Sequence, residues 1–167
     1  MEFGLVAVPF LAMMMGIMTV GVQYLTMHSL ERGVAEASRQ IRTGQAQQAG
    51  LTVDDFRQLF CNAAGTFITC DARLVLHLRS GDRFADLLPP ARCVIDGKLA
   101  PPSGGGNDNL VTVVGEESRK VSITVCYDWD MGSGLWRSIW SLLSPTPAEE
   151  GRTILSAATV LQTEPYQ

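Results

Sequence analysis

FGLVAVPFLAMMMGIMTVGV, residues 3–22, carries no charged side chain and a single polar one, Thr19. At about 1.5 Å of rise per residue, a helix of this length is about 30 Å long, the thickness of a bilayer's hydrocarbon core. A core helix that is apolar all round needs a much larger protein around it. A cleavable signal peptide carries a positive n-region and a small-x-small cleavage site, and Glu2 with no basic residue ahead of the run matches neither. The reading is a retained transmembrane helix over residues 1–26. Pro9 removes one backbone bond inside it and is expected to kink or loosen the first turns. Gly4, Gly16 and Gly21 suggest close helix approach without forming a clean small-xxx-small pattern.

Outward from this run the chain changes character. All 13 Lys and Arg, and every Asp and Glu except Glu2, lie at or beyond Glu31, so the remainder is built to meet water. Its length allows one ordinary domain beside the membrane helix. The 46% apolar content excludes a disordered chain, and a net charge of −4 offers no basic surface for phosphates, so no nucleic-acid partner is expected.

Met27, Leu30, Val34, Ala37 and Ile41 fall three or four residues apart and extend the helix as one apolar seam, with Gln40, Arg42, Gln45, Gln47 and Gln48 solvating the other side. Gly44 or Gly50 can end it. Residues 27–50 are thus the soluble continuation, and residues 51–167 form a separate α+β domain. There Thr52 and Asp55 make a capping box, with Leu51 and Phe56 as a hydrophobic staple, for a second helix running to about Ala63. Four strands are expected after it. Leu74, Leu76 and Leu78 alternate with Val75, His77 and Arg79, and Val121, Ile123, Val125, Tyr127 and Trp129 alternate with Ser122, Thr124, Cys126 and Asp128. Residues 110–114 and 153–161 supply two less clearly patterned strands. The stretch with Pro89-Pro90, Pro101-Pro102 and Gly104-Gly105-Gly106 reads as surface loop. The fold class is α+β: a long N-terminal helix with a small antiparallel sheet domain packed on its soluble half.

Cys61, Cys70, Cys93 and Cys126 permit three pairings, with four free buried thiols as the alternative. None lies in a CxxC, and His28 and His77 complete no zinc spacing. Cys61 ends the second helix and Cys70 begins the approach to a strand, while Cys126 projects from the strand face opposite Val125 and Tyr127, within reach of the loop holding Cys93. Cys61–Cys70 with Cys93–Cys126 is therefore favoured, and an even count in a small domain points to an oxidising compartment. The arginines Arg32, Arg39 and Arg42 pull the other way, because the positive-inside rule alone would place the domain in the cytoplasm.

No nucleophile elbow, HExxH, P-loop or glycine fingerprint is found, so neither catalysis, cofactor nor metal is expected. His28 reads as a polar interface residue and His77 as a partly exposed sheet residue. Asp128 and Asp130 read as solvated turn carboxylates. GLWRSIWSLL, residues 134–143, places Leu135, Trp136, Ile139, Trp140 and Leu143 on one face of a short helix. Satellite core packing and a contact with lipid headgroups or a partner subunit both fit that pattern.

The N-terminal EFGLVAVPF, then LERGVAEASRQIRTGQAQ, GLTVDDFRQLFC, the CYDW strand and the closing ATVLQTEPY together resemble the TadE-like proteins of the Tad (Flp, type IVc) pilus system. The most specific parts are the EF pair, the Arg-x-x-x-Thr-Gly-Gln stretch ending at Gln45 and the NEP-like Thr163-Glu164-Pro165-Tyr166. The resemblance implies a minor pilin or pseudopilin of the bacterial inner membrane, single-pass with a periplasmic C-terminal domain, without catalysis of its own. It acts in pilus biogenesis or adhesion through hetero-oligomeric contacts with other pilins and Tad assembly proteins. It assigns Glu2, Phe3 and Pro9 to assembly, Glu2 matching the pilin-type glutamate whose carboxylate needs a partner in lipid. The sequence departs from the pattern in lacking the basic leader and the glycine before the cut, which leaves open whether the start is trimmed or the protein is unprocessed. The competing reading is a signal-anchored envelope protein that binds a periplasmic ligand or partner.

Overall fold

The structure is a computed structural model and describes residues 2–87, 92–96, 98–102, 105–115, 117–129 and 153–165. Helix α1, Glu2–Arg42, is a single element that continues through Pro9. Its two halves behave differently. The apolar N-terminal half is exposed, whereas Leu30, Val34, Ala37 and Ile41 are buried along the seam that the sequence spacing marks. Val22 and Met27 join that core from the edge.

Gly44, at a φ of 73° that favours glycine, closes α1 and opens the short helix α2, Gln45–Gln48; Gly50, at 64°, ends that in turn. The break reorients the chain, so Gln47 is buried and donates from Nε2 to the Ile41 carbonyl at 3.3 Å, rather than solvating a continuous helix. Helix α3, Val53–Ala64, carries the expected capping box: Asp55 N donates to Thr52 Oγ1 at 3.2 Å, and Thr52 N donates to Asp55 Oδ2 at 3.1 Å. Thr52 Oγ1 also donates to Asp55 Oδ2 at 2.7 Å, and this bond, followed by the one from Thr52 N, holds the Asp55 carboxyl below its ordinary value. The glycine-rich loop completes the cap. Val53 N and Asp54 N, which an isolated helix would leave unpaired, donate to the carbonyls of Asp108 and Gly106.

Strands β1 (Leu74–Gly81), β4 (Lys120–Trp129) and β5 (Thr153–Gln162) form one antiparallel sheet in the order β1-β4-β5, and β2 (Val94–Ile95) pairs with β3 (Lys98–Leu99) in a separate ribbon. The register sets Leu74, Leu76 and Leu78 opposite Tyr127, Val125 and Ile123, and sets Leu155 and Ala157 opposite Tyr127 and Val125. Alternation along each strand puts these side chains on one face. All join Leu30, Val34, Phe56 and Phe60 in a single core. Fully burying each large apolar side chain there is worth about 1.5–3 kcal/mol.

Residues 110–114 are helix α4 (Leu110–Val114) and not a strand. Asn109 Oδ1 accepts from Val111 N at 3.1 Å as an N-cap, Gly115 at a φ of 79° terminates the turn, and the buried residues are Leu110 and Val114, four apart. That helical spacing of the anchors overrides the β-branched composition of the segment. The Pro/Gly-rich stretch is also more than surface loop. It includes a 3-10 turn at Phe84–Leu87 and the β2–β3 ribbon, and its Leu87 and Ala100 are buried.

Two disulfides close the domain: Cys61–Cys70, with Cα atoms 6.1 Å apart, and Cys93–Cys126, 5.5 Å apart. These are the pairs the sequence reading favours. The second ties the crossing loop to the outer face of β4, where Ser122, Thr124 and Cys126 are buried. His77, opposite Thr124 on that face, is buried rather than partly exposed, and burial pushes its imidazole pKa below the ordinary value. Asp128 is part of β4, where its N–H donates to the Arg73 carbonyl, and is not a turn residue.

Candidate assembly surface

The apolar half of α1 is the largest exposed hydrophobic surface described. Phe3 is 86% exposed, and Val6, Val8, Phe10, Met13, Ile17, Met18 and Val20 are exposed with it. Soluble monomers rarely leave a continuous apolar surface of this kind uncovered. The helix is long and apolar enough to cross a membrane, and none of its most apolar window is buried by the domain, which separates it from a core helix. Its hydroxyls are satisfied internally: Thr19 Oγ1 donates to the Met15 carbonyl and Thr26 Oγ1 to the Val22 carbonyl, each at 2.8 Å. A lipid-facing helix needs that arrangement, because hydrocarbon offers no partner for a free donor.

Of the residues that the resemblance assigns to assembly, Glu2 opens α1, and Phe3 and Pro9 are exposed on its first turns. The folded domain uses neither the Phe3 nor the Pro9 side chain. The cysteines lie elsewhere, inside the domain. Leu135, Trp136, Ile139, Trp140 and Leu143 lie outside the described residues. The strand ends that flank them, Trp129 and Thr153, are paired with each other at the opposite end of the sheet from Lys120 and Gln162.

Where α1 leaves its apolar run, the surface becomes mixed. Tyr24 packs edge-on against His28, ring centroids 5.6 Å apart, and His28 Nδ1 lies 3.8 Å from Glu31 Oε2. Beside them runs an open groove of about 730 Å³, lined on the α1 side by Leu25, His28 and Arg32 and on the α3 side by Ala64 and Phe67. Phe67 is 52% exposed, and nothing in its immediate sequence marks it. Its place follows from the turn that ends α3.

The other end of α1 is latched by the C-terminal residues. Glu164 N donates to the Arg42 carbonyl at 2.9 Å, Arg42 Nε lies 3.0 Å from Glu164 Oε1, and Thr163 exchanges backbone and side-chain bonds with Arg119. One of the carbonyls that an α-helix leaves open at its end thereby finds a donor. Two motifs on which the sequence resemblance rests, Arg-x-x-x-Thr-Gly-Gln and the NEP-like end, meet here across 122 residues. Their joint appearance was the only sequence signal for this contact.

Among the described residues no group of three or more His, Cys, Asp or Glu is placed to hold a metal ion. No curated protein and no solved structure matches the chain. Residues 1–39 match the family model for TadE-like protein, so the similarity falls on the exposed apolar half of α1 and the first turns of its buried seam.

Proposed function

We propose that this protein is a minor pilin-like component of a Tad pilus machine, anchored in the inner membrane by α1, with its α+β domain in the periplasm and without catalytic activity. The observation that carries the reading is an overlap of family match and uncovered surface. The TadE-like match covers residues 1–39, and within it lies the helical surface that the fold leaves uncovered. A helix whose apolar side chains stay outside its own domain's core until Val22 is free to pack against lipid and against other helices. Pilin-type assembly uses a helix in that way. The two disulfides support an oxidising compartment for the domain.

The experiment is Glu2→Ala in the full chain. Glu2 begins α1 and is remote in sequence from every core residue, so the melting temperature of the domain should be unchanged while piliation drops. Normal pili in the variant remove the pilin-type role. Alkaline phosphatase fused after Gln167 should be active in cells, and an inactive fusion beside an active cytoplasmic reporter refutes the periplasmic placement.

A further inference from the structure

The turn after α3 lines a groove beside the exit of α1. Gly65, at a φ of 81°, ends α3, and Thr66 and Phe67 form the turn. Three observations place it along the molecule. Phe67 shares its groove with Leu25, His28 and Arg32 of α1. Thr69 N donates to the Tyr127 hydroxyl, and Tyr127 belongs to the Trp129 end of β4. The opposite end of the sheet, at Gln162, leads directly into the latch on Arg42, the far end of α1.

Depth follows from helix geometry. The apolar run ends at Val22, ahead of Gln23, so Leu25 lies about 5 Å and His28 about 9 Å beyond it along the axis. The headgroup layer on each side of a bilayer is about 5–8 Å thick. The groove that Phe67 lines opens at Leu25, at headgroup height, and a common helix tilt of about 20° toward the groove brings the turn closer to that layer. The next residue, Ile68, is buried in the core, so the turn had an apolar position to bury and left the Phe67 ring outside. Cys61–Cys70 spans the turn and keeps it from folding back. An aromatic ring with a neighbouring cation is the side-chain chemistry that membrane interfaces select.

We propose that the turn at residues 65–67 seats the Phe67 ring in the headgroup region of the bilayer that α1 crosses. The domain then touches the membrane at a second point and is held at a fixed attitude to it. This inference rests on the reading of α1 as a membrane span.

The test uses the full chain in liposomes of phosphatidylglycerol and phosphatidylcholine, the latter brominated at shallow or deep acyl positions. Three variants, Met13→Trp, Phe67→Trp and Val160→Trp, are each compared with wild type so that native tryptophan emission cancels. Met13 is central in the apolar run, and the exposed Val160 lies near the latch end of β5. Met13→Trp should lose most of its added emission to deep bromines, Phe67→Trp should lose more to shallow than to deep bromines, and Val160→Trp should lose none. If Met13→Trp is quenched while Phe67→Trp behaves like Val160→Trp, the inference fails and the span stands. If Met13→Trp is unquenched, the span fails and takes the inference with it. If Phe67→Trp is shielded from both bromines and aqueous iodide, a second copy or another protein covers the turn and the lipid contact is refuted.

Discussion

Gly33→Ala tests the packing on which the geometry of the whole molecule depends. Gly33 lies on the buried side of α1 where α3 crosses it. A Cβ added there would sit 2.6 Å from Phe60 Cε2, 2.9 Å from Phe60 Cζ and 3.1 Å from Ala64 Cβ. Carbon atoms in contact prefer about 3.5–4.0 Å, so the ring or the helix must move by about 1 Å. Phe60 is fully buried. Overpacking of this kind costs about 1–3 kcal/mol, whereas replacing Gly by Ala inside a helix gains about 0.5–1 kcal/mol. The difference is a net cost of about 0–2.5 kcal/mol, and each kcal/mol lowers the melting temperature of a chain this size by about 2–4 °C.

The assay is unfolding of the disulfide-intact full chain in detergent, followed by near-ultraviolet circular dichroism. A double-mutant cycle with Phe60→Leu isolates the contact, because leucine lacks the two ring carbons nearest the new methyl group. In that background Gly33→Ala should be neutral or stabilising by its helix propensity. A stabilising Gly33→Ala in the wild-type background, or an equal cost in both backgrounds, refutes the close crossing and with it the placement of the turn at Phe67.

The remaining predictions concern covalent closure and protonation. Loop-closure entropy assigns about 3.7 kcal/mol to Cys93–Cys126 and about 2.6 kcal/mol to Cys61–Cys70 from sequence separations of 33 and 9 residues, so Cys93→Ser with Cys126→Ser should lower the urea midpoint more than Cys61→Ser with Cys70→Ser. The reverse order would show that the crossing loop is held by its other contacts. Burial keeps His77 neutral in the fold, and its imidazole takes up a proton on unfolding. Its contribution is therefore complete above the ordinary imidazole value of 6.5 and is lost as pH falls toward the lower folded value. Midpoints measured between pH 7.5 and 5.5 should fall less steeply in His77→Gln than in wild type, and parallel slopes would remove His77 from the acid response.

Legibility in the sequence followed the range of each interaction. The seam from Met27 to Ile41, the Thr52 cap and the alternation of β1 and β4 are local periodicities and capping patterns, so a short window contains the information. Residues 110–114 misled because the Asn109 cap and the four-residue spacing of Leu110 and Val114 matter only once a core exists to bury them. Gln47 and His77 misled for a longer-range reason. One turns inward because the chain breaks at Gly44, and the other is buried on a sheet face that a distant loop covers.

The assembly surface poses a different problem. In residues 3–22 nearly every position is apolar, so no period distinguishes one helix face from another, and the sequence specifies lipid without specifying a neighbour. What discriminates within lipid is size, since apolar side chains gain nothing by leaving hydrocarbon for one another except through closer packing. Gly21 has open space where a side chain would stand, with nothing within 4 Å, so the protein's own domain does not use that gap. A neighbouring helix that packs against this chain would then find its closest approach at such small positions, with the Met side chains around them adapting to its shape. A face that met a partner helix would thus be written in the few residues that are missing a side chain, which a hydropathy reading passes over.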